Sequence, residues 1–406
     1  MKFPVEQILN LPEMQVLDFQ ELEGEEIIIT IEKGVNYSTC PSCRQITRSI
    51  HQNHWRMIHD LPWNKKSVLL KINHRQFKCH KCKKVFSEQL DFVDKSKGYT
   101  KRLASDIVQQ VLNSNIHSVA QRNGLSDEQV ESMLNNLVSQ ILTINLSQVR
   151  KLGIDEIALV KGQGNYLAVL VDLDSHKLIE IVQSRRIEDI REVIVIWGVD
   201  VLNQIEEVSI DLWSPYKKLV EDLMPNANIT ADRFHVMKQI TDELDTMRKN
   251  EKEAAMSLDD ELEKARKLEA LNKSKHSLLK NENSLNEKQK LKLQSVLEVS
   301  PHLAKMHALK EQFRQIFDTT KSWGDSITQL LDWMYDARSY FPKSLGTMVR
   351  WFGEIVGYFD GRTTSGTVEG INNKLKLIKR LGYGFRNFNN FRIRSLLNWH
   401  FSINFP

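Results

Sequence analysis

The sequence has few cysteines and no long apolar runs. It contains four cysteines in 406 residues, and no apolar segment approaches the roughly 18 residues that a membrane-spanning helix needs. The first residues, MKFPVEQILNLPEM, include no sustained apolar segment of the kind found in signal peptides. We therefore expect a soluble, intracellular (cytoplasmic) protein with no membrane partner and no disulfide framework. The length and the 41% apolar content predict two or three domains, each with its own core.

The net charge of +4 is small, but positive charge is concentrated in one segment. Between Cys40 and Arg102 stand fifteen lysines and arginines against four acidic residues. Such an excess is typical of proteins that bind the phosphate backbone of nucleic acids. A solvated basic surface is the alternative, and charge alone does not distinguish the two.

All four cysteines lie in this basic segment, as the pairs Cys40–Cys43 and Cys79–Cys82, with 35 residues between the pairs. Two CxxC turns supply four thiolates for one tetrahedral Zn²⁺ ion, and strand-like stretches between them predict a zinc ribbon. The alternative is four free thiols. The nearby His74 and His80 offer substitute ligands, although four cysteines already complete the site.

A helix-turn-helix pattern follows the ribbon. An amphipathic helix is predicted over 100–112. Ala120, Gly124 and Val130 then have helix-turn-helix spacing: a small residue where two helices cross, a glycine in the turn, and an apolar residue that packs the second helix against the first. Ser126 is the expected cap of a recognition helix that runs from about Asp127 to Val138. A plain helical hairpin is the alternative. The residues that this helix would offer to a DNA groove are Gln129, Ser132, Asn135 and Asn136.

From residue 151 the pattern changes to α/β, with acidic residues at the ends of predicted strands. Three strands linked as hairpins are followed by alternating helices and strands, which is the element order of an RNase H-like fold. The strands are predicted over 151–160, 166–172, 178–182, 207–212 and 227–231. They carry Asp155 and Asp211 and lead into Asp232 and His235.

Carboxylates that converge from several elements suit metal-dependent phosphodiester chemistry. Two Mg²⁺ ions about 4 Å apart would activate the attacking oxygen and stabilise the leaving one, and hard cations prefer oxygen ligands. A third carboxylate is expected further along the chain. Glu369 fits this role, because Asn373, Lys376 and Arg380 share its helix face, although an ordinary surface helix shows the same pattern.

Two segments between the α/β part and Glu369 predict a helical insertion. Residues 249–292 lack glycine and proline and carry many charges of both signs, so we expect long, exposed helices. Residues 313–359 are rich in aromatic residues and are expected to form a helical core rather than a base-stacking surface.

The whole chain resembles the transposases of the ISL-three insertion-sequence family. The matching motifs, besides the cysteine pairs and the helix-turn-helix, are Gly153–Glu156, Asp211–Tyr216, Ala231–His235, Val368–Asn373 and Gly382–Asn387. The resemblance implies a DDE catalytic domain with Asp155, Asp211 and Glu369 as the residues that bind two Mg²⁺ (or Mn²⁺) ions. Asp232 and His235 lie in a family motif, where a structural role is at least as expected as contact with metal or DNA.

The implied domains are N-terminal strands with a four-cysteine zinc ribbon (1–94), a helix-turn-helix domain (95–147), a first part of an RNase H-like core (148–240), a helical insertion (241–355) and the remaining core (356–406). The implied activity is insertion-sequence transposition: binding of terminal inverted repeats, Mg²⁺-dependent cleavage and strand transfer into target DNA by a homodimer or higher oligomer. The rival functions are a metal-dependent nuclease and a catalytically idle DNA-binding regulator. The basic residues expected to contact DNA near the catalytic site are Lys374, Lys376, Lys379, Arg380, Arg386, Arg392 and Arg394.

Overall fold

The computed structural model describes residues 5–22, 26–94, 96–141, 145–158, 166–361, 366–385 and 387–401. The chain forms two compact units, one comprising Met1–Ile144 and Leu375–Pro406 and the other Asn145–Lys374. The predicted domain 356–406 therefore contributes residues to both units. Within the described ranges, no helix has the length and apolar character needed to cross a membrane.

The described part of the first unit contains a four-stranded sheet, several short strands and several helices. Its strands are β1 (Met14–Leu22), β2 (Glu26–Lys33), β3 (Ser38–Thr39), β4 (Ile46–Thr47), β5 (Ile50–Gln52), β6 (Trp55–Trp63), β7 (Lys66–Asn73), β8 (Gln76–Lys78) and β9 (Val85–Ser87). Its helices are α1 (Val5–Leu9), α2 (Lys101–Leu112), α3 (Ile116–Asn123) and α4 (Asp127–Ile141), and α17 (Phe388–His400) joins them from the C-terminal end.

The four-stranded sheet has the order β1-β2-β7-β6. Alternate residues of β2 and β7 point into a core, as a half-buried sheet requires, and Ile29 and Leu70 are fully buried there. The hairpin between β6 and β7 turns at Asn64 and Lys65, both with positive φ, as expected of a two-residue turn of the type I′ class.

The predicted helix-turn-helix is present. Gly124 ends α3 in the left-handed conformation at φ 63°, and Ala120 and Val130 are buried where α3 and α4 meet. Ser126 caps α4 as expected, because its Oγ accepts from the Gln129 backbone N–H at 3.2 Å. The Gln129 side chain in turn accepts from the Ser126 backbone N–H at 2.8 Å, which completes a capping box.

The sequence did not predict that α17 completes the core of these three helices. Ile393 and Leu397 of α17 are buried in the same apolar cluster as Ile107 and Val119. Arg394 is 1% exposed, and its guanidinium donates to the backbone carbonyls of Val111, at 2.7 Å, and Ser114. The prediction that Arg394 grips DNA is therefore wrong, since burial against two carbonyls at the end of α2 removes it from any surface.

Replacing Gly124 by alanine should lower the stability of the first unit by about 1 kcal/mol. A Cβ there meets no atom within 4 Å, so the cost comes only from holding an L-residue in the left-handed region. Thermal denaturation should show a melting temperature lower by a few degrees. Gly98→Ala is the matched control, because Gly98 also has open space around its Cβ position but no left-handed φ. Equal melting temperatures for the two variants would contradict the argument.

The second unit is built on a five-stranded sheet with the order β12-β11-β10-β13-β14. The strands are β10 (Lys151–Ala158), β11 (Tyr166–Asp172), β12 (Lys177–Val182), β13 (Glu207–Ile210) and β14 (Asn228–Ala231). The first three pair antiparallel, whereas β10, β13 and β14 are mutually parallel. This confirms the predicted α/β class and the element order expected of an RNase H-like core; the last two residues of the predicted strand 151–160 lie outside the described residues.

The helices of the second unit include α5 (Ile187–Val195), α6 (Val199–Asn203), α7 (Ser214–Leu223), α8 (Arg233–Met256), α9 (Glu261–Leu271), α10 (Lys275–Leu279), α11 (Glu287–Val299), α12 (Pro301–Thr319), α13 (Trp323–Ala337), α14 (Pro342–Arg350) and α15 (Phe352–Gly361). Of these, α5, α6 and α7 lie between strands, and a long helical segment, α8 to α15, follows β14. Helix α16 (Gly366–Leu381) follows, and the division between the units falls within it.

Much of the segment 249–292 is exposed, as predicted, but beyond the end of α8 at Met256 the prediction of long helix is wrong. Caps at Asp260 and Asn286 and a left-handed Lys273 break the segment into short helices. Leu271 and Leu278 are buried in the core of the unit rather than exposed. Charge-rich composition concealed these turns, because capping residues are themselves polar.

The aromatic-rich segment is a helical core, as predicted. Phe313 packs against Trp333 with ring centroids 4.6 Å apart, and Phe317 packs against Phe359 at 5.1 Å. All four rings are at most 4% exposed. Their burial stabilises the helical segment and leaves these rings unavailable for stacking on bases.

Candidate functional site

The sheet register brings three aspartates together: Asp155 lies within β10, two residues after its last pair with β13, and Asp211 and Asp232 directly follow β13 and β14. Gly153 of β10 pairs with Ser209 of β13, and Ile210 of β13 pairs with Ala231 of β14. Continuing this register sets Asp155 beside Asp211 and Asp211 beside Asp232. Side chains at adjacent positions of parallel strands point to the same side of the sheet. We call Asp155, Asp211, Asp232 and His235 the acidic site.

Asp155 is held through both of its carboxylate oxygens. Its Oδ1 accepts from the Glu156 backbone N–H at 2.7 Å, and its Oδ2 accepts from Asn372 Nδ2 at 2.5 Å. The first part of α16 can lie close to β10 because position 153 is glycine. A Cβ there would lie 2.9 Å from a Leu173 methyl and 3.1 Å from a Val368 methyl.

His235 lies between the aspartates. Its Nδ1 is 3.4 Å from Asp232 Oδ2, and its Nε2 is 4.0 Å from Asp155 Oδ1. Burial lowers the pKa of His235, but the charges of Asp232, Asp155 and Asp211 outweigh burial and hold that pKa above its ordinary value. Asp232 also caps α8, accepting from the Phe234 backbone N–H at 2.8 Å, so it has the structural role that the sequence allowed.

Asp211 is partly buried directly after β13. Burial raises the pKa of Asp211 to about 6, the charges of Glu156 and Asp155 act in the same direction, and His235 opposes them. Burial likewise raises the pKa of Asp155. Both carboxylates are therefore held in a setting where ionisation is unfavourable unless positive charge is nearby.

The neighbouring Glu156 makes a separate set of contacts. Its carboxylate accepts from the Tyr216 hydroxyl at 3.1 Å and lies 3.7 Å from Arg185 Nη1. Arg185 also stacks over the Tyr166 ring at 5.0 Å. Tyr216, Arg185 and Tyr166 had no predicted role, since none of them is an acid at a strand end.

The donor set of the acidic site fits a hard divalent cation. Asp211 Oδ1 and Asn372 Oδ1 are buried oxygens without a hydrogen-bond partner in the part of the chain that the structure describes. Unsatisfied buried polar atoms cost free energy unless an ion or ordered water meets them. Carboxylate and amide oxygens are ligands of Mg²⁺ and Mn²⁺, so Asp155 and Asp211 are suited to hold such an ion.

Glu369 lies on the same helix as Asn372, whose side chain contacts Asp155. It lies in the first turn of α16, three residues before Asn372, and its side chain is exposed. Among the described residues, no hydrogen bond or ion pair joins it to the aspartates, and no three carboxylates approach within 4.8 Å as the cysteine sulfurs do. The role of Glu369 stays a prediction.

Asp211→Asn should stabilise the protein when divalent cations are absent. The pKa of Asp211 is higher in the folded protein than in the unfolded chain, so its ionisation at pH 7.5 opposes folding, and the amide removes that cost. After allowance for solvent screening, we expect a gain of about 1–2 kcal/mol and a rise of a few degrees in melting temperature in EDTA. The gain should shrink as the pH falls from 6 towards 4, because the wild-type carboxyl becomes protonated.

Asp200→Asn is the control for this measurement, since Asp200 is an exposed carboxylate on α6 and should change stability little. A lower melting temperature for Asp211→Asn at pH 7.5 would mean that the carboxylate is stabilised by its surroundings, contrary to the electrostatics above.

The four cysteines converge as predicted. Their sulfurs lie within 4.8 Å of one another, with Cys40 Sγ 3.6 Å from Cys82 Sγ and Cys43 Sγ 3.5 Å from Cys79 Sγ. All four are free thiols. Backbone N–H groups of Cys82 and Lys81 lower the pKa of Cys79 to about 6 against burial, whereas the pKa of Cys43, which the Gln45 N–H lowers, is raised to about 11 by burial and the neighbouring thiols. The thiolate that zinc binds is therefore favoured at Cys79 and not at every cysteine of the cluster.

The two cysteine turns have the same backbone. The Arg44 N–H donates to the Cys40 carbonyl at 2.8 Å, and the Lys83 N–H donates to the Cys79 carbonyl at 3.0 Å. Both Arg44 and Lys83 have positive φ, at 56° and 61°. This equivalence presents each sulfur pair in the same way, which suits four-coordinate Zn²⁺.

The residues predicted to contact DNA differ in exposure and in their hydrogen bonds. Asn135 is exposed on α4, Ser132 is half-buried, and Asn136 donates to Asp94 at 3.2 Å. The side chain of Gln129 takes part in the capping box already described. Lys376 and Arg380 are exposed, Lys374, Lys379 and Arg392 are half-buried, and Arg386 lies outside the described residues. Contact of any of them with DNA stays a prediction.

Comparison with known proteins divides the chain into three matching segments. Residues 37–82 match a family model described as the zinc-finger of transposase IS204/IS1001/IS1096/IS1165. Residues 88–138 match the helix-turn-helix domain of transposase family ISL3, and residues 152–395 match the DDE domain of ISL3 transposases.

Curated relatives share this description. The chain is 26% identical over 380 residues to the transposase for insertion sequence element IS1001 of Bordetella parapertussis, covering 91% of each chain. It is 27% identical over 260 residues to the transposase for insertion sequence element IS1557 of Mycobacterium tuberculosis, covering 59% of this chain and 58% of the relative.

Proposed function

The chain belongs to the ISL3 family of insertion-sequence transposases, and from this premise we propose that it binds the terminal inverted repeats of its element and catalyses Mg²⁺-dependent cleavage and strand transfer. The observation that carries the proposal is the convergence of Asp155, within β10, and Asp211, directly after the neighbouring parallel strand β13. Asp211 Oδ1, a buried oxygen with no hydrogen-bond partner among the described residues, supports a cation at this position.

We assign the cation ligands to Asp155, Asp211 and Glu369. When bound, the divalent cations would lower the pKa of the attacking water or hydroxyl and stabilise the leaving 3′ oxygen. The protein contributes a preset geometry: the Glu156 backbone N–H and the Asn372 amide fix the carboxylate of Asp155. Glu369 follows Val368 on α16, and Gly153 permits the close approach of Val368 to β10.

His235 provides positive charge within the acidic site. Its raised pKa favours the imidazolium, which lies between Asp232 and Asp155 and reduces their mutual repulsion. No covalent nucleophile is required for this chemistry, so we assign none.

DNA binding is assigned to the first unit. Phosphate contacts from the basic segment 40–102 would position the duplex, and Asn135 and its neighbours on α4 would contact base edges. The four cysteines would hold one structural Zn²⁺ ion. Because transposition joins two element ends, we propose that a homodimer or higher oligomer assembles on DNA, in the cytoplasm or on the nucleoid.

The test is incubation of the protein with a supercoiled donor that bears the element ends, in Mg²⁺ and in EDTA. Cleavage at the ends with joined products, in Mg²⁺ only, supports the proposal. Cleavage without joined products would indicate a metal-dependent nuclease, and specific binding without cleavage would indicate a DNA-binding regulator. Both outcomes would overturn the transposition reaction as stated here.

A further inference from the structure

Asn372 is a buried polar side chain beside the carboxylates of the acidic site, and the sequence predicted no role for it beyond its place in the Val368–Asn373 motif. It lies on α16, is 8% exposed, and donates its Nδ2 to Asp155 Oδ2 at 2.5 Å. The other oxygen of Asp155 accepts from the Glu156 backbone N–H. Asn372 therefore supplies one of the two hydrogen bonds that determine how the Asp155 carboxylate is turned.

Only one end of the Asn372 amide is satisfied. Its Oδ1 is buried and has no hydrogen-bond partner among the described residues. Because Oδ1 and Nδ2 share one carbon, and Nδ2 touches Asp155, the unpartnered oxygen lies within a few ångströms of the same carboxylate. A buried amide with an unmet acceptor costs more than an apolar residue would, so packing alone does not account for this side chain.

The amide orientation follows from charge. An oxygen turned towards Asp155 would face a carboxylate oxygen, whereas the amide N–H donates to it, so the carbonyl end is the one left unpartnered. The surroundings keep the side chain in place, since Val368, one turn earlier on α16, is buried against the open face of Gly153.

We propose that Asn372 is a positioning residue of the cation site: its Nδ2 fixes the Asp155 carboxylate, and its Oδ1 offers a neutral oxygen to the bound cation or to a water on that cation. This inference rests on the proposed function, because it presumes that Asp155 binds a divalent cation. Loss of a partner that orients a metal ligand typically weakens metal affinity by about 10–100-fold.

The test is Mn²⁺ binding to the full-length protein, measured by the loss of the free-ion signal in electron paramagnetic resonance. Asn372→Ala should weaken Mn²⁺ binding by about tenfold or more. Asn372→Leu, which retains most of the side-chain volume and so protects the packing of α16, should do the same. Asn250→Ala, which alters an exposed asparagine on α8, should bind Mn²⁺ like the wild type.

Three outcomes are decisive. Weaker binding by both Asn372 variants, each with a melting temperature in EDTA near that of the wild type, supports the inference. Wild-type Mn²⁺ affinity in either folded variant overturns it while leaving the proposed function standing. Mn²⁺ binding that is unchanged in Asp155→Asn shows that the cation site itself is misassigned, and the proposed function and this inference then fail together.

Discussion

Asp155→Asn and Asp211→Asn should each reduce cleavage at the element ends by about a thousandfold or more. Divalent cations contribute several kcal/mol of transition-state stabilisation in this type of chemistry, and each factor of ten in rate corresponds to about 1.4 kcal/mol. An amide keeps the size of the side chain but removes the charge that holds the cation. The measurement is the initial rate of donor cleavage at saturating Mg²⁺, with strand transfer scored in the same reaction.

Binding of end DNA by these variants should stay within a few-fold of the wild type, because the basic segment and α4 are unchanged. Asp200→Asn serves as the control for loss of one carboxylate from the same unit and should cleave normally. If either active-site variant retained a tenth or more of the wild-type rate, the assignment of that aspartate as a cation ligand would be wrong.

Cys79→Ser, or removal of zinc by a chelator, should abolish the fold of the cysteine turns and reduce affinity for end DNA by about a hundredfold or more. The ribbon strands β3, β4, β5, β8 and β9 have two or three residues each, too few to hold the turns without metal. Zinc binding supplies about 10–16 kcal/mol in comparable peptides. The basic side chains attached to these turns would then lose their fixed phosphate contacts.

The readouts are the zinc content per chain and the DNA affinity at fixed salt. Ser42→Ala is the matched control, since Ser42 is an exposed residue inside the first cysteine turn and is not a ligand. A Cys79→Ser protein with a full equivalent of zinc and unchanged DNA affinity would contradict the assignment of the four cysteines to one structural ion.

The sequence was sufficient where spacing alone determines structure. The cysteine turns follow from two CxxC pairs, the cap of α4 from Ser126, and the position of Asp211 from an apolar strand that ends in an acid. Each of these patterns is local, so no knowledge of distant contacts was needed.

Contacts between distant parts of the chain were not predictable in this way. Arg394 was assigned to DNA because it is basic, yet its carbonyl partner Val111 stands 283 positions earlier. Asn372 was overlooked because an amide on a helix has no distinctive pattern, and its role depends on contact with Asp155, 217 positions away. Burial of both residues became visible only in the folded structure.

The burial of α17 in the helix-turn-helix core determines when the DNA-binding unit can form during protein synthesis. Helices α2, α3 and α4 leave the ribosome early, but the apolar surface that Ile393 and Leu397 cover stays open until the entire second unit has been translated. A nascent or prematurely terminated chain that lacks α17 therefore has an incomplete helix-turn-helix. Full DNA affinity is thereby restricted to polypeptides that already carry Asp155 and Asp211.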